Sequence, residues 1–359
     1  MKKEHLCELS YSKIAADLRS AIDSRHLSPG EMLLPERELA RRYSVSIGTV
    51  RRGIRTLVEE GRLRKRQGLG TFVLNRTETS GAIALLLPTL QLSYYARIAE
   101  LVEKYGSSEP FIITNPDDVP VSRRISIALK RRGFRNVIIT HEISSEEYDR
   151  CRRHFPGMEF FFFDSGVSGL PVNSVCSDEI EGARLAVTHL LNQGRRRIVF
   201  LGNTRFANGR RRALGCRLAL ENAGEKFHLI DSDVHYSSAY AAMQNALARG
   251  LRPTGIFAVT DMAAMGGISA LREAGVRVPE DCAVIGYSNL AEGKNFTPAL
   301  STIETDLDGM VRYTLSEIAF RTAHPETELS QVRFQPRLIV RASSSTIHQP
   351  FNKQESCHE

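Results

Sequence analysis

The chain has 359 residues, too many for one small domain, so two or three globular units are expected. Its net charge of +7 sits in residues 1–76, which hold sixteen Lys and Arg against nine Asp and Glu; the remainder is neutral, with thirty-two of each. That excludes a uniformly basic protein and places an anionic partner at the N-terminal fifth, while six scattered cysteines without a Cys-x-x-Cys, the absence of a signal-peptide core, and no apolar run near ~20 residues argue for a cytosolic chain with reduced thiols and no membrane span.

The first expected helix carries Tyr11, Ile14, Ala15, Leu18 and Ile22 at helical spacing, followed by a turn at Ser28-Pro29-Gly30. A second helix is expected over 36–42, with Leu39 and Ala40 inward and Pro35 at its start, where a missing N–H does no harm. Arg37 points away from the Leu39 face, within reach of a phosphate. Ser46 caps a third helix whose buried face is Val50, Ile54, Leu57 and Val58. Its opposite face carries Thr49, Arg51, Arg52 and Arg55, and Gly61 ends it. Residues 62–66 and 71–74 read as strands joined by Gln67-Gly68-Leu69-Gly70, a β-wing. Arg62, Arg64, Lys65 and Arg66 crowd into that wing. A helix of this size fits the major groove, and clustered cations release phosphate counterions, so the partner expected is double-stranded DNA. A charge run alone is more often a solvated face; a helix-turn-helix, a wing and localised charge together reverse that balance.

Residues 76–81 read as a polar linker, which sets a domain over 1–75. Beyond it, apolar strands alternate with helices. Strands are expected at 82–87, 111–114, 137–140, 159–163, 198–202, 228–231, 255–260 and 282–286. Helices are expected at 94–105, 123–132, 179–192, 210–223, 238–249 and 262–274. Two doubly wound α/β lobes in tandem over 82–346 place a ligand crevice at the strands' carboxyl ends. Residues 347–359 form a polar tail.

The first segment resembles the GntR family of winged-helix regulators. The match runs through Tyr11, Ile14, Leu33, Glu36-Arg37-Glu38-Leu39-Ala40, Val45-Ser46, Thr49-Val50-Arg51, Glu60-Gly61, Gly68 and Gly70-Thr71-Phe72-Val73. Two departures stand out. Leu34-Pro35 replaces the family's Pro-Ser before the Glu, and Ile47 replaces a base-reading Arg, which implies an altered operator with apolar contact to a thymine methyl. The second segment resembles the sugar-sensing domain of LacI/GalR regulators, a type I periplasmic-binding-protein-like fold. It does so most clearly through Gly255 to Asp261, Gly275 to Asp281, Val284-Ile285-Gly286-Tyr287, Leu300 to Ile303 and Arg341-Ala342-Ser343. The pairing is similar to the arabinose-repressor architecture.

The resemblance implies an α+β winged helix-turn-helix head in which Arg37, Ser46, Ile47, Thr49, Arg51, Arg52, Arg64, Lys65, Gln67 and Gly68 face DNA. It also implies an effector site at Tyr94, Tyr95, Asp164, Arg212, Asp261 and Ser288. A carboxylate and a guanidinium together grip a polyol well. Each residue has a plainer alternative: a helix cap for Asp261, a solvated Arg in the run 210–212, core packing for the tyrosines, a cap or turn for Asp164. Ser288 stands where the family has an acid, so a different sugar, a non-sugar or an unresponsive cleft are the alternatives. No catalytic constellation, metal spacing or cofactor motif stands out, although some GntR-like heads carry pyridoxal-phosphate enzymes. The expectation is a homodimeric repressor, in which a small polar effector closes the lobes and changes operator affinity.

Overall fold

The computed structural model describes residues 2–23, 27, 31–59, 63–66, 70–73, 82–106, 109–115, 119–131, 133–323 and 327–345. The turn expected at 28–30, the linker at 76–81 and the tail at 347–359 lie outside the described residues. The chain divides into two compact units. One comprises residues 1–90, 99–161 and 168–170; the other comprises 91–98, 162–167 and 171–359.

The chain opens with α1 (Lys2–Asp23), α2 (Glu36–Arg42) and α3 (Ile47–Glu59), then the hairpin strands β1 (Leu63–Arg66) and β2 (Gly70–Val73). The hairpin is antiparallel, with Leu63 opposite Val73 and Arg66 opposite Gly70. Ile14, Leu18, Leu39, Val50, Ile54 and Leu57 meet in one buried cluster, which fixes the three helices against each other. Gly53 is needed where α3 meets α1: a Cβ there would lie 3.1 Å from the Tyr11 carbonyl oxygen. Pro35 precedes α2 without a side-chain cap, and Glu36 and Glu38 in the first turn face the helix's positive end instead. The hairpin also gains a short extended partner not evident in the sequence. The Leu33 N–H donates to the Thr71 carbonyl (2.7 Å) and the Val73 N–H to the Glu31 carbonyl (2.8 Å).

The α/β part continues with β3 (Ile83–Leu87), α4 (Ser93–Tyr105), β4 (Phe111–Thr114), α5 (Val121–Leu129), β5 (Asn136–Ile139), α6 (Ser145–His154), β6 (Glu159–Phe163) and β7 (Ser174–Ser177). Next come α7 (Glu179–Asn192), β8 (Ile198–Gly202), α8 (Ala207–Asn222), β9 (His228–Asp231), α9 (Tyr236–Ala248), β10 (Gly255–Ala258) and α10 (Asp261–Glu273). The series closes with β11 (Ala283–Tyr287), α11 (Ala291–Asn295), β12 (Ser301–Glu304), α12 (Leu307–Ala323), β13 (Gln331–Phe334) and β14 (Arg337–Ile339). One sheet has the order β14-β12-β11-β10-β8-β9, parallel except for β14 against β12. The other has the order β13-β7-β6-β5-β3-β4.

The buried strands read as continuous apolar runs, as expected for parallel sheets covered on both faces: β3, β8, β10 and β11 are buried at every residue. The tandem order expected from the sequence is corrected in one respect. After the second sheet is built, the chain returns, and β13 pairs in parallel with β7, Gln331 opposite Ser174. Both strands are short and partly exposed, so neither carries an apolar run to betray it. Helix α6 was silent for a related reason: its only buried residue is Cys151. In α5, Ile125 is buried but Ile127 is exposed.

Candidate DNA-reading face and effector site

Helix α3 starts as its sequence predicts. The Ser46 Oγ accepts from the Thr49 N–H at 3.1 Å and lies 2.9 Å from the Thr49 Oγ1. Arg37, Arg51, Arg52 and Arg55 are exposed. The Arg51 Nε donates to the Glu36 Oε2 at 2.6 Å, and the Arg52 guanidinium lies 4.2 Å from the centre of the Tyr11 ring. Thr49 is a correction: it does not share the arginine face but is buried, 6% exposed. It lies one turn before Gly53, on the side where α3 meets α1. Ile47 is half-buried and packs against the head's core. Arg64 and Lys65 fall in β1, opposite Phe72 and Thr71. Gln67 and Gly68 lie outside the described residues.

The six expected effector residues fall into two groups. In the first, the Tyr94 hydroxyl donates to the Asp164 Oδ2 at 2.7 Å, and the Tyr95 ring meets the Tyr94 ring edge-on at 5.5 Å. Burial, then the Asp164 carboxylate, push the Tyr94 hydroxyl well above its ordinary pKa, so it stays a donor. Asp164 follows β6 with φ +52°, a left-handed conformation that a short polar side chain tolerates. Its Oδ1 also accepts from the Ser177 N–H at 3.4 Å.

Arg212 is not a solvated arginine. It is 3% exposed, donates to the Val259 carbonyl (2.6 Å) and the Glu179 Oε1 (2.9 Å), and lies over the Tyr287 ring at 3.6 Å. Burial opposes its charge, but Glu179, Tyr287 and Asp164 outweigh burial and hold it protonated. Glu179 is raised to about 7, because burial and the nearby Asp164 outweigh its attraction to Arg212. The Glu179 Oε2 and the Arg212 Nε are buried with no hydrogen-bond partner among the described residues. Sequence reasoning missed Glu179. The available signal was an acid directly after Asp178, which caps α7 by accepting from the Glu181 N–H at 3.1 Å.

The second group surrounds Asp261, where the structure corrects the reading of that residue as a helix cap. Thr260 is the cap of α10, accepting from the Ala263 N–H at 3.1 Å, so Asp261 is the helix's first residue. Asp261 is fully buried: its Oδ1 accepts from the Thr302 hydroxyl (2.6 Å) and its Oδ2 from the Leu290 N–H (2.7 Å). Its carboxylate therefore ties the loop after β11 to β12. Gly286 makes room for it, since a Cβ there would fall 2.2 Å from the Oδ1. Burial, opposed by those two hydrogen bonds, raises Asp261 to about 6. Ser288 and Asn289 in the tied loop have φ of +112° and +52°. At Ser288 that conformation is strained by ~1–3 kcal/mol, a cost often found at ligand sites. Asn289 is held by Glu304 (2.6 Å) and Arg341 (2.6 Å).

Among the described residues no group of three His, Cys, Asp or Glu is placed to hold a metal ion. Cys151, Cys176, Cys216 and Cys282 are free thiols pushed up to about 12, chiefly by burial.

The description "Bacterial regulatory proteins, gntR family" matches residues 10–73, and "Periplasmic binding protein-like domain" matches residues 187–344. The chain is 30% identical over 276 residues to the HTH-type transcriptional repressor PurR of Escherichia fergusonii, an alignment covering 73% of this chain and 79% of the relative. It is 26% identical over 280 residues to the repressor of the same name from Mannheimia succiniciproducens, covering 76% and 84%. Among solved structures it is similar to the lac repressor dimer bound to operator and an anti-inducer, with TM-score 0.67, 20% identity and coverage of 76% of this chain and 99% of that one. It is also similar to a LacI family regulator from Enterococcus faecium with bound ribose, with TM-score 0.66, 22% identity and coverage of 74% and 99%. The two structures establish the fold. Both of these relatives are named as transcriptional repressors. The chain therefore belongs to the LacI/PurR-type family of transcriptional repressors, with a GntR-type winged-helix head joined to its periplasmic-binding-protein-like sensor.

Proposed function

We propose that residues 1–75 bind a near-palindromic operator as part of a homodimer, and that residues 82–346 bind a small uncharged polyhydroxyl effector that alters operator affinity. The observation that carries the DNA reading is the outward row of Arg51, Arg52 and Arg55 on a helix capped by Ser46, in a segment that matches the gntR description. Arg37, Arg64, Lys65, Gln67 and Gly68 are assigned to the same interface as phosphate or backbone contacts, and Ile47 to the base of the reading helix. A two-fold dimer reads two-fold DNA. A cytoplasmic location follows from that role; among the described residues no helix is long and apolar enough to cross a membrane.

The effector reading rests on Tyr94, Tyr95, Asp164 and Arg212, with Ser288 at the margin. Glu179 already neutralises Arg212, and Asp164 adds a negative charge, so the cluster favours a neutral hydroxylated molecule over an anion. A structural neighbour crystallised with ribose supports a sugar. A ligand shifts DNA affinity only through its different affinities for the two DNA-binding states.

The test is binding of the purified chain to DNA upstream of its own gene, across a salt series, with and without a panel of neutral sugars and sugar phosphates. Specific, salt-dependent binding altered by one neutral sugar is the expected result. An effect of sugar phosphates alone would overturn the neutral-effector assignment. Specific binding that no compound alters would favour a cleft without a sugar response, and no specific binding would overturn the operator reading.

A further inference from the structure

We infer that the outer face of α8 pairs antiparallel with α8 of a second copy of this chain, a contact that joins two homodimers. The pairing goes beyond the proposed operator and effector sites; only its joining role rests on the homodimer proposed above.

The inner side of α8 packs on α7 and buries Gly209, Ala213, Cys216, Ala219 and Leu220. Gly215 sets the spacing, since a Cβ there would lie 2.3 Å from the Ile180 carbonyl oxygen. A helix seated this closely presents a rigid outer face, and a rigid surface loses little freedom on binding. That face carries Arg210, Leu214, Arg217, Leu218 and Glu221, all exposed and recurring at helical spacing. Leu214 and Leu218, one turn apart, are 44% and 43% exposed. Exposed leucines scattered singly need no explanation. Here two adjoin, and opposite charges stand at the two ends of the row, Arg210 before Leu214 and Glu221 after Leu218.

That order is self-complementary in one orientation. A two-fold axis across the helix at the level of Cys216 sets Leu214 against the partner's Leu218, and Leu218 against the partner's Leu214. The midpoint between Arg210 and Glu221 lies half a residue from that level, less than about 1 Å along the helix axis. The same axis therefore sets Arg210 against the partner's Glu221, and the reverse. Arg210 and Glu221 stand three turns apart and nearly in line along the helix, so both charge pairs form on one flank. A parallel pairing would instead bring like charges together. Arg217, the other exposed cation of the row, lies over the Phe227 ring at 4.9 Å. Arg210 is steadied at the start of the row by donating to the Arg205 carbonyl at 2.6 Å.

One helix face covers much less than the about 800 Å² per partner of a stable interface, so this contact is weak by itself. It becomes effective between molecules already held near each other, as two homodimers on one DNA are, because tethering supplies an effective concentration of about millimolar. A different protein would need a matching pattern of its own; the match of the row to its own reverse favours a second copy.

Sedimentation equilibrium of the full-length chain without DNA, carried up to about millimolar protein, reads the contact directly. Wild type is expected to add a species of twice the homodimer mass. Leu214→Gln with Leu218→Gln should weaken that association about tenfold or more, with melting and the homodimer unchanged. Arg210→Glu and Glu221→Arg should each weaken it severalfold alone. Mixed together, those two single variants should associate better than either does by itself, and a chain carrying both changes should behave as wild type. On a duplex with two operator sites, wild type should fill both cooperatively and the double glutamine variant independently. The inference is overturned if wild type forms nothing heavier than the homodimer, if the glutamine changes leave the heavier species intact, or if the mixed charge variants gain nothing over each alone. Loss of the homodimer itself in the glutamine variant would overturn the assignment of α8 to a second interface. Absence of operator binding would overturn the operator reading and leave the sedimentation result standing.

Discussion

Arg51 on α3 and Arg212 on α8 are marked by the same kind of sequence signal, an arginine at a family position, and each is paired with a glutamate. Yet Arg51 keeps 62% of its side chain in solvent and Arg212 keeps 4%. At Arg51 the pair leaves most of the arginine side chain in solvent, and its contribution to folding is small. At Arg212 the pair is sealed against the Tyr287 ring and a backbone carbonyl, so each member depends on the other to offset the cost of burial. A motif match reports which residue type a position holds. Only the surroundings decide whether that group faces a ligand, supports the fold, or does both.

The largest expected effect tests that contrast directly. Arg212→Ala leaves the Glu179 carboxylate buried without its counter-charge and is expected to cost about 3–5 kcal/mol in denaturant unfolding. Arg51→Ala should change unfolding by less than about 0.5 kcal/mol while weakening operator binding. Equal losses of stability from the two substitutions would erase the distinction.

A smaller effect lies in the pH dependence of the second unit. Glu179 and Asp261 both have folded pKa values above their ordinary ones, about 7 and about 6. Between the ordinary and raised values the folded chain binds more protons than the unfolded chain. Stability from these groups therefore falls as pH rises from about 4.5 to 7 for Glu179, and from about 4 to 6 for Asp261. Melting temperature across pH 4.5–7.5 should decline, and Glu179→Gln should flatten the upper part of that decline. A variant with an unchanged slope would show that Glu179 titrates normally.

The smallest effect belongs to the head. Ser46→Ala removes the Oγ that accepts from the Thr49 N–H at 3.1 Å and should cost about 1 kcal/mol. Faster hydrogen exchange at the Thr49 amide would locate the loss. Unchanged exchange there would mean that the buried Thr49 side chain, not the cap, secures the start of α3.

Much of the fold was legible because its strongest elements carry local signals. The strands β4, β6, β8 and β9 and the helix α7 fall on the residues expected from apolar runs and caps. The elements missed include α6, β7, β13 and β14, which share little apolar surface, but also α11, β12 and α12, of which β12 and α12 bury Ile303, Met310 and Val311; β13 depends on a partner more than 150 residues earlier in the chain. The site was legible by residue type and less so by role. Tyr94, Asp164 and Arg212 belong to one polar cluster, but Glu179, which sets the charge of that cluster, was not foreseen. Thr49 and Asp261 are buried, and Asp261 fits there because Gly286 has no Cβ, which would fall 2.2 Å from its Oδ1.

The sequence alone determined the two architectures, the confinement of basic charge to the head and the start of the reading helix at Ser46, because periodicity, capping and charge act over a few residues. Only the tertiary structure decided which polar groups remain available. It set Arg51 against Glu36, closed Asp261 between Thr302 and Leu290, and buried Arg212 with Glu179. Those outcomes depend on burial and on partners distant in sequence, and burial fixes both the cost of a charge and the direction in which it can bond.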